Sequence, residues 1–240
     1  MIQYTKHDVT LPGLPAAASG MRLVQLTDLH RSSFTRESLL HESVQLASKA
    51  AADLIVLTGD YVSDKEHDIE PVAKLLSPLR APLGVYAILG NHDHHTSGAK
   101  VTHALEKQGI VVLRNQSVQL SNGVWLVGLD DDRYKHTDVA RSFKGVPEAE
   151  PVIVLAHNPA LVERFSERNC LTLSGHTHGG QIHLPILTAR ELRRIGAKHY
   201  RHGWYHVGAA QMYVCRGLGN VGLPIRMFCN PEVAEFKLLP

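Results

Sequence analysis

The sequence predicts an α/β protein in four layers: two mixed sheets packed face to face, with helices on both outer sides, an α/β/β/α sandwich. Three observations predict it. Short apolar runs recur along the chain, and each ends in a polar cluster. Up to about residue 107 these runs alternate with helical patterns, the rhythm of parallel strands covered by helices. From Val111 the rhythm changes to consecutive short strands, with Asn122-Gly123 as a hairpin turn.

In chain order, RLVQLTDLH (22–30) reads as a buried strand ending at Asp28. A helix follows from about Thr35 to Ala51, with Leu39, Leu40, Val44 and Ala47 on one face. DLIVLTGD (53–60) is a second strand, ending at Gly59-Asp60. Pro71 suits the first turn of a short helix over 71–77, which Pro78 ends. GVYAILGNHD (84–93) is a third strand and Val101 to Lys107 a third helix. VVLRN, SVQL and VWLVGLD then supply short strands. PVIVLAH (151–157), a short helix near 159–166, and LTLSGH (171–176) resume the earlier pattern, and YHVG, QMYVCRG and EVAEFKL are strands of the tail. No internal repeat or low-complexity linker interrupts the chain, so residues 1–240 are expected to form one domain.

Composition excludes several classes. With 44% hydrophobic and 20% charged residues in 240, the chain can bury a sizeable core without cross-links. A formal net charge of +2 gives no field for nucleic acid, and no stable nucleic-acid partner is expected. Three widely spaced cysteines, with no CxxC pair, indicate neither a zinc knuckle nor a disulfide framework. No run approaches the roughly 18 apolar residues of a membrane span, and the N-terminus lacks the apolar stretch of a signal peptide. The expectation is a soluble, cytoplasmic chain, with removal of an upstream anchor or export signal left open. Histidine is unusually abundant, with 16 residues.

Those histidines point to a site. Asp28 and His30, Asp60, Asn91 and His92, His157, and His176 and His178 all stand at the carboxyl ends of proposed strands. Ligands of open α/β sheets gather at that rim. Carboxylate oxygen, amide oxygen and imidazole nitrogen together suit Mn, Fe or Zn better than Ca or Mg, which prefer oxygen shells. The set is too large for one ion and about right for two that share a carboxylate. Asp28 and His30, like His176 and His178, are two apart, so on an extended backbone each pair faces one way. Gly59, Gly90 and Gly175 each precede a proposed ligand and permit close backbone approach.

Asp28-Leu29-His30, Gly59-Asp60, Gly90-Asn91-His92-Asp93, Ala156-His157 and Gly175-His176-Thr177-His178 resemble, in order, the five motifs of the calcineurin-like metallophosphoesterases. The resemblance implies two divalent ions, Mn first and Fe or Zn as alternatives. Asp28, His30 and His178 would hold one, Asn91, His157 and His176 the other, and Asp60 would bridge them. It implies hydrolysis of a phosphodiester or pyrophosphate by a hydroxide shared between the ions, with His92 as general acid. Phosphoprotein phosphatases of the family continue Gly-Asp into Val-Asp-Arg-Gly. Here Ser63 stands where their second acid would be, which lowers that reading and leaves open whether Asp64 orients His92. SGHTHGGQIHLP and CRGLGNVGLPIRMFCNPE look instead like the family's bacterial phosphodiesterase branch, some of whose members cleave a UDP-linked acylated sugar. A small-molecule or lipid-linked phosphoester is therefore the implied partner. A phosphomonoesterase, or a scaffold that has lost catalysis, is the alternative, although scaffolds usually lack ligands that are all present here.

Several further residues carry expectations. Arg190, Arg193, Arg194, Lys198 and Arg201 follow the last motif. A solvated surface helix, with Leu187, Leu192 and Ile195 packed on the sandwich, is the simpler reading. Peripheral contact with a membrane or an anionic head group is the sharper one. Asp130, Asp131 and Asp132 follow a strand and could reach the site, but a solvated turn is the simpler expectation. His94 and His95 would at most support the site, and His183, His199, His202 and His206 are read as surface or structural. Arg216 and Arg226 could grip a phosphate or form ion pairs at the sandwich edge. Nothing in the sequence signals an oligomeric state.

Overall fold

The structure, a computed structural model, describes all residues except His183 and Leu184, and the side chains of all but 183–187. The first sheet takes β1 (Gln3–Thr10), β2 (Arg22–Leu26), β3 (Leu54–Leu57), β4 (Val85–Ala87) and β5 (Val111–Val112). The second takes β6 (Gln116–Gln119), β7 (Trp125–Gly128), β8 (Val152–Leu155), β9 (Cys170–Ser174), β10 (Gly203–Val207) and β11 (Ala210–Val214). The last strand, β12 (Glu232–Leu239), returns to the first sheet. Strand orders are β1-β12-β2-β3-β4-β5 and β10-β11-β9-β8-β7-β6, six strands each. Both sheets are mixed: β2 through β5 are parallel, as are β7, β8, β9 and β11, while β12 runs antiparallel to β2, β6 to β7 and β10 to β11.

Period-two alternation explains the layers. Leu54 and Val56 of β3 face the second sheet, where Ile153 and Leu155 of β8 and Leu171 and Leu173 of β9 meet them. Ile55 and Leu57 point the other way, into α1 (Glu37–Lys49), α2 (Ile69–Leu76) and α3 (Asn91–Glu106). Val152 and Val154 line the opposite outer face with Leu161, Phe165 and Phe143, beside the short α4 (Val139–Ser142). Helices outside and sheets inside make the expected four layers. Gln25 ties the sheets together below the site: its Nε2 donates to Thr58 Oγ1 at 2.9 Å and to the Ser174 carbonyl at 3.0 Å.

Some elements differ from the sequence expectation. β1 has no counterpart in the sequence expectation, because QYTKHDVT is largely polar; it pairs in parallel with β12 at the sheet edge. The third helix begins at Asn91 rather than Val101, with a break at Ser97 (φ −176°, ψ 92°). Histidine, serine and glycine between 91 and 98 are weak helix formers and hide its first turns. The basic segment forms α5 (Pro185–Arg194), but the chain is back in a strand by Gly203. Leu192 is buried and Ile195 half-buried beneath it, and the Leu187 side chain lies outside the described residues. All three cysteines are free and buried. No helix among the described residues is long and apolar enough to cross a membrane.

One buried carboxylate anchors the return of the chain to the first sheet. Glu232 accepts from Thr5 Oγ1 (2.7 Å), the Tyr213 hydroxyl (2.6 Å), Arg216 Nε (3.0 Å) and Arg216 N (3.1 Å). Burial alone would raise its pKa, but the bonds from Arg216 and Tyr213 outweigh burial and hold it at about 2. A depressed folded-state value adds stability above the unfolded pKa that is lost as pH falls towards the folded one, here between about 4.5 and 2. The shift corresponds to roughly 3 kcal/mol. Glu232→Gln is therefore expected to unfold at lower urea at pH 7 and to lose part of the wild-type acid slope. Equal slopes in the two chains would contradict this assignment.

Candidate metal centre

The seven proposed ligands and His92 come from the five segments that follow β2, β3, β4, β8 and β9, with Asn91 and His92 opening α3. Asp28, His30, Asp60, Asn91, His157, His176 and His178 are all buried, and His92 is partly exposed at their edge. Donor atoms converge in three overlapping groups within 4.8 Å of one another: Asp28–His30–His178, Asp60–His157–His176, and His30–Asp60–His92.

The backbone that brings them together is not extended. Asp28 (φ 52°), His30 (φ 42°), Asp60 (φ 57°), His176 (φ 72°) and His178 (φ 52°) all occupy the left-handed region, five of the seven candidates. Each such non-glycine residue costs on the order of 1 kcal/mol, held by the surrounding packing. The two-residue spacing thus converges through tight turns, not through the period of a strand. The glycines have a more specific task than the sequence suggested. A Cβ on Gly90 would lie 2.2 Å from Asp60 Oδ1, and one on Gly175 would lie 2.3 Å from Asp28 Oδ2. They let neighbouring loops close on the carboxylates.

Asp60 sits at the junction. Its Oδ1 accepts the His92 backbone N–H at 2.8 Å, at the start of α3, where helix amides favour an anion. Its Oδ2 lies 3.3 Å from His30 Nε2 and 3.1 Å from His157 Nε2, one imidazole from each ligand group. Burial would raise this carboxyl, but His157 and His30 hold it well below the usual range. Burial likewise opposes charge on His157, yet Asp60 outweighs it and lifts that imidazole to about 10. Asp28 is raised, chiefly by burial. His30 is lowered by burial, His176 to about 4 by burial and by His157, and His178 well down by burial, His30 and Arg226.

The residues fit a bound cation. His157 Nδ1 donates to the Thr58 carbonyl at 2.7 Å, leaving Nε2 towards Asp60 without hydrogen-bonding geometry. His176 Nε2 donates to the Ile195 carbonyl at 2.9 Å, leaving Nδ1 for the site. Asn91 Oδ1 is buried with no partner among the described residues. His30 Nε2 and His178 Nε2 stand 3.0 Å apart, a separation that two ligands of one ion adopt. A cation held there would take the place of a proton on His157. The mixed N/O set suits Mn, Fe or Zn.

Several contributors escaped sequence reasoning. Asp93 accepts from the Asp60, Tyr61 and Gly90 amides at 2.8, 2.9 and 2.9 Å and so locks two ligand loops together. Burial, with Asp60 close by, raises it to about 7. Ser63, not Asp64, meets His92: its carbonyl accepts from His92 Nδ1 at 2.8 Å, and its hydroxyl lies 3.3 Å from His30 Nδ1. Asp130 and Asp131 are not in a solvated turn. Both are buried, and Asp130 bonds His94 Nε2 at 2.5 Å and Arg114 Nε at 2.9 Å. Asp132 pairs with Arg164 at 2.7 Å. Arg216 forms the ion pair with Glu232, whereas Arg226 donates to the Arg216 and Gly219 carbonyls and places Nη2 3.2 Å from His178 Nδ1. His95 reaches the Tyr134 hydroxyl at 3.3 Å, and His183 lies outside the described residues.

A cavity of about 540 Å³ opens from Asp60, Asn91, His92, His176 and His178. Arg133, Tyr134 and His95 line it, together with the apolar Ile182, Val221 and Leu223. Strand-end carboxylates and imidazoles on a four-layer sandwich, beside such a cavity, define a metal-dependent hydrolase.

Comparison with known proteins gives the class a family. The calcineurin-like phosphoesterase profile matches residues 21–180, and the chain belongs to that family. It is 34% identical to the metallophosphoesterase YkuE of Bacillus subtilis, over 99% of this chain and 86% of that protein. It is 33% identical to the phosphodiesterase YaeI of Escherichia coli, over 92% and 83%. The UDP-2,3-diacylglucosamine pyrophosphatase LpxG of Chlamydia muridarum is 27% identical over 100% and 90%. Among solved structures, TT1561 of Thermus thermophilus shares the fold at a TM-score of 0.55 and 13% identity, over 83% of this chain and 90% of that one. The chain is a metal-dependent phosphoester hydrolase.

Proposed function

We propose that residues 1–240 act as one catalytic domain that hydrolyses a phosphodiester or pyrophosphate at a two-ion centre. The observation that carries the proposal is Asp60 Oδ2, which lies between His30 Nε2 and His157 Nε2 and joins the two ligand groups. Asp28, His30 and His178 would hold one ion and Asn91, His157 and His176 the other, with Asp60 common to both. Two such ions would supply an activated water and neutralise charge on the phosphoryl oxygens.

The chain's own groups do the rest. His92 Nδ1 is committed to the Ser63 carbonyl, so Nε2 is the nitrogen free to hand a proton to the leaving oxygen. His157 and His30 keep Asp60 ionised, and the His92 amide at the α3 N-terminus holds it in place. Beyond His92 the cavity has a cationic, aromatic side and an apolar side, room that a bare phosphate monoester does not need. That shape favours a diester or anhydride with a sizeable leaving group, of the nucleotide- or lipid-linked kind that the Chlamydia relative's name describes.

The test is turnover of bis(p-nitrophenyl) phosphate beside p-nitrophenyl phosphate, after chelation and reloading with Mn, Fe(II) or Zn. The diester is expected to turn over faster, with Mn the best ion. Preference for the monoester under every metal would overturn the diesterase assignment.

A further inference from the structure

Large apolar side chains are exposed in one short segment after the last ligand loop. Leu223 is 53% exposed, Ile225 48%, Met227 44% and Phe228 83%. Phe228 has φ 57°, a conformation unfavourable for a bulky residue, and Cys229 beside it is buried. At this left-handed residue the ring stands outward while its neighbour packs inward. Phe34, 42% exposed, stands on the adjacent loop, whose carbonyl at Phe34 accepts from Asn220 Nδ2 at 3.0 Å.

The segment is held rather than loose. Gln181 Nε2 donates to the Val221 and Leu223 carbonyls at 3.1 Å each, and Ile182 bridges Met227. It also forms one wall of the cavity mouth, where Val221 and Leu223 share the lining with Arg133 and Arg194. Arg190 and Arg193 of α5 are exposed, and the acid among them, Glu191, is already paired with Arg194 at 2.8 Å. Apolar tips and a net-positive helix thus flank one opening.

We propose that residues 221–228, with the exposed arginines of α5, dock this mouth on an anionic lipid bilayer. Apolar tips would enter the head-group region while the guanidinium groups meet lipid phosphates. A few projecting side chains beside exposed cations suit such a surface better than a second protein, which needs a broad complementary face. A second copy seated here would also cover the cavity mouth, whereas a bilayer can deliver an amphiphilic phosphoester into it. The docking surface goes beyond the hydrolysis proposed above, and binding can be read without turnover.

The test is co-sedimentation of the full, Mn-loaded chain with vesicles of equal parts phosphatidylglycerol and phosphatidylcholine, or of phosphatidylcholine alone. Wild type is expected to sediment with the anionic vesicles and to be released by salt. Phe228→Glu and Ile225→Glu are each expected to weaken binding by about tenfold. Both should keep the wild-type circular dichroism and turnover of the soluble diester. Failure of wild type to bind anionic vesicles at low salt, or binding unchanged in both variants, would overturn the proposal. So would a wild-type dimer that Phe228→Glu converts to monomer, because the occupant would then be a second copy. Vesicle binding with no diester turnover would leave the docking surface standing and sink the hydrolysis proposal.

Discussion

Asp60→Asn is expected to lower metal-dependent diester turnover by about 10³-fold or more while leaving the fold intact. The substitution preserves shape, and an amide oxygen can still accept the His92 backbone N–H that Asp60 Oδ1 now receives. What it removes is the negative charge shared by His30 and His157. Without that charge the largest part of the lift on His157 disappears, leaving only the weaker pull of Asp28 and Asp131, and each ligand group loses its common anion. Chelation of the wild type should reproduce the activity loss, and reloading should restore wild type but not the variant. Retained turnover in Asp60→Asn, at metal concentrations that saturate wild type, would mean that Asp60 joins nothing.

The second large effect separates proton transfer from metal binding. His92→Ala is expected to reduce kcat by about 10²- to 10⁴-fold, with bound metal unchanged. The reason is geometric: Nδ1 is fixed by the Ser63 carbonyl, and the ring edge lies against His30, with ring centroids 4.8 Å apart. The role as proton donor predicts a substrate dependence. The loss should be smaller for an ester whose leaving group is already acidic, such as p-nitrophenolate, than for one leaving as an alkoxide. An equal loss on both substrates would assign His92 to binding the phosphoryl group. Loss of metal along with activity would place it among the ligands.

Much of this was legible in the chain. Buried strands such as LIVL announce themselves by unbroken apolar runs, and their ends were marked by Asp60, His157 and His176. The two-sheet sandwich followed from alternation of strand and helix patterns giving way to hairpins. What stayed hidden shares a physical cause: it depends on the backbone, or on partners far along the chain. Left-handed turns at Asp28, His30, Asp60, His176 and His178 leave no mark in non-glycine residues. The carbonyl that orients His92 belongs to Ser63, and every residue has a carbonyl. Asp130 looks like a solvent-facing turn until His94, on α3, arrives to pair with it. Edge strand β1 is polar because only one of its edges is paired, with a strand more than two hundred residues away.

The most direct measurement is the metal content of the Mn-reconstituted, desalted chain by mass spectrometry, for wild type, His30→Ala and Asn91→Ala. Two groups sharing Asp60 predict about two ions per wild-type chain and about one in each variant, because each substitution dismantles one group and spares the other. One ion in wild type, or two ions kept by both variants, would contradict the two-ion centre on which the proposed hydrolysis rests.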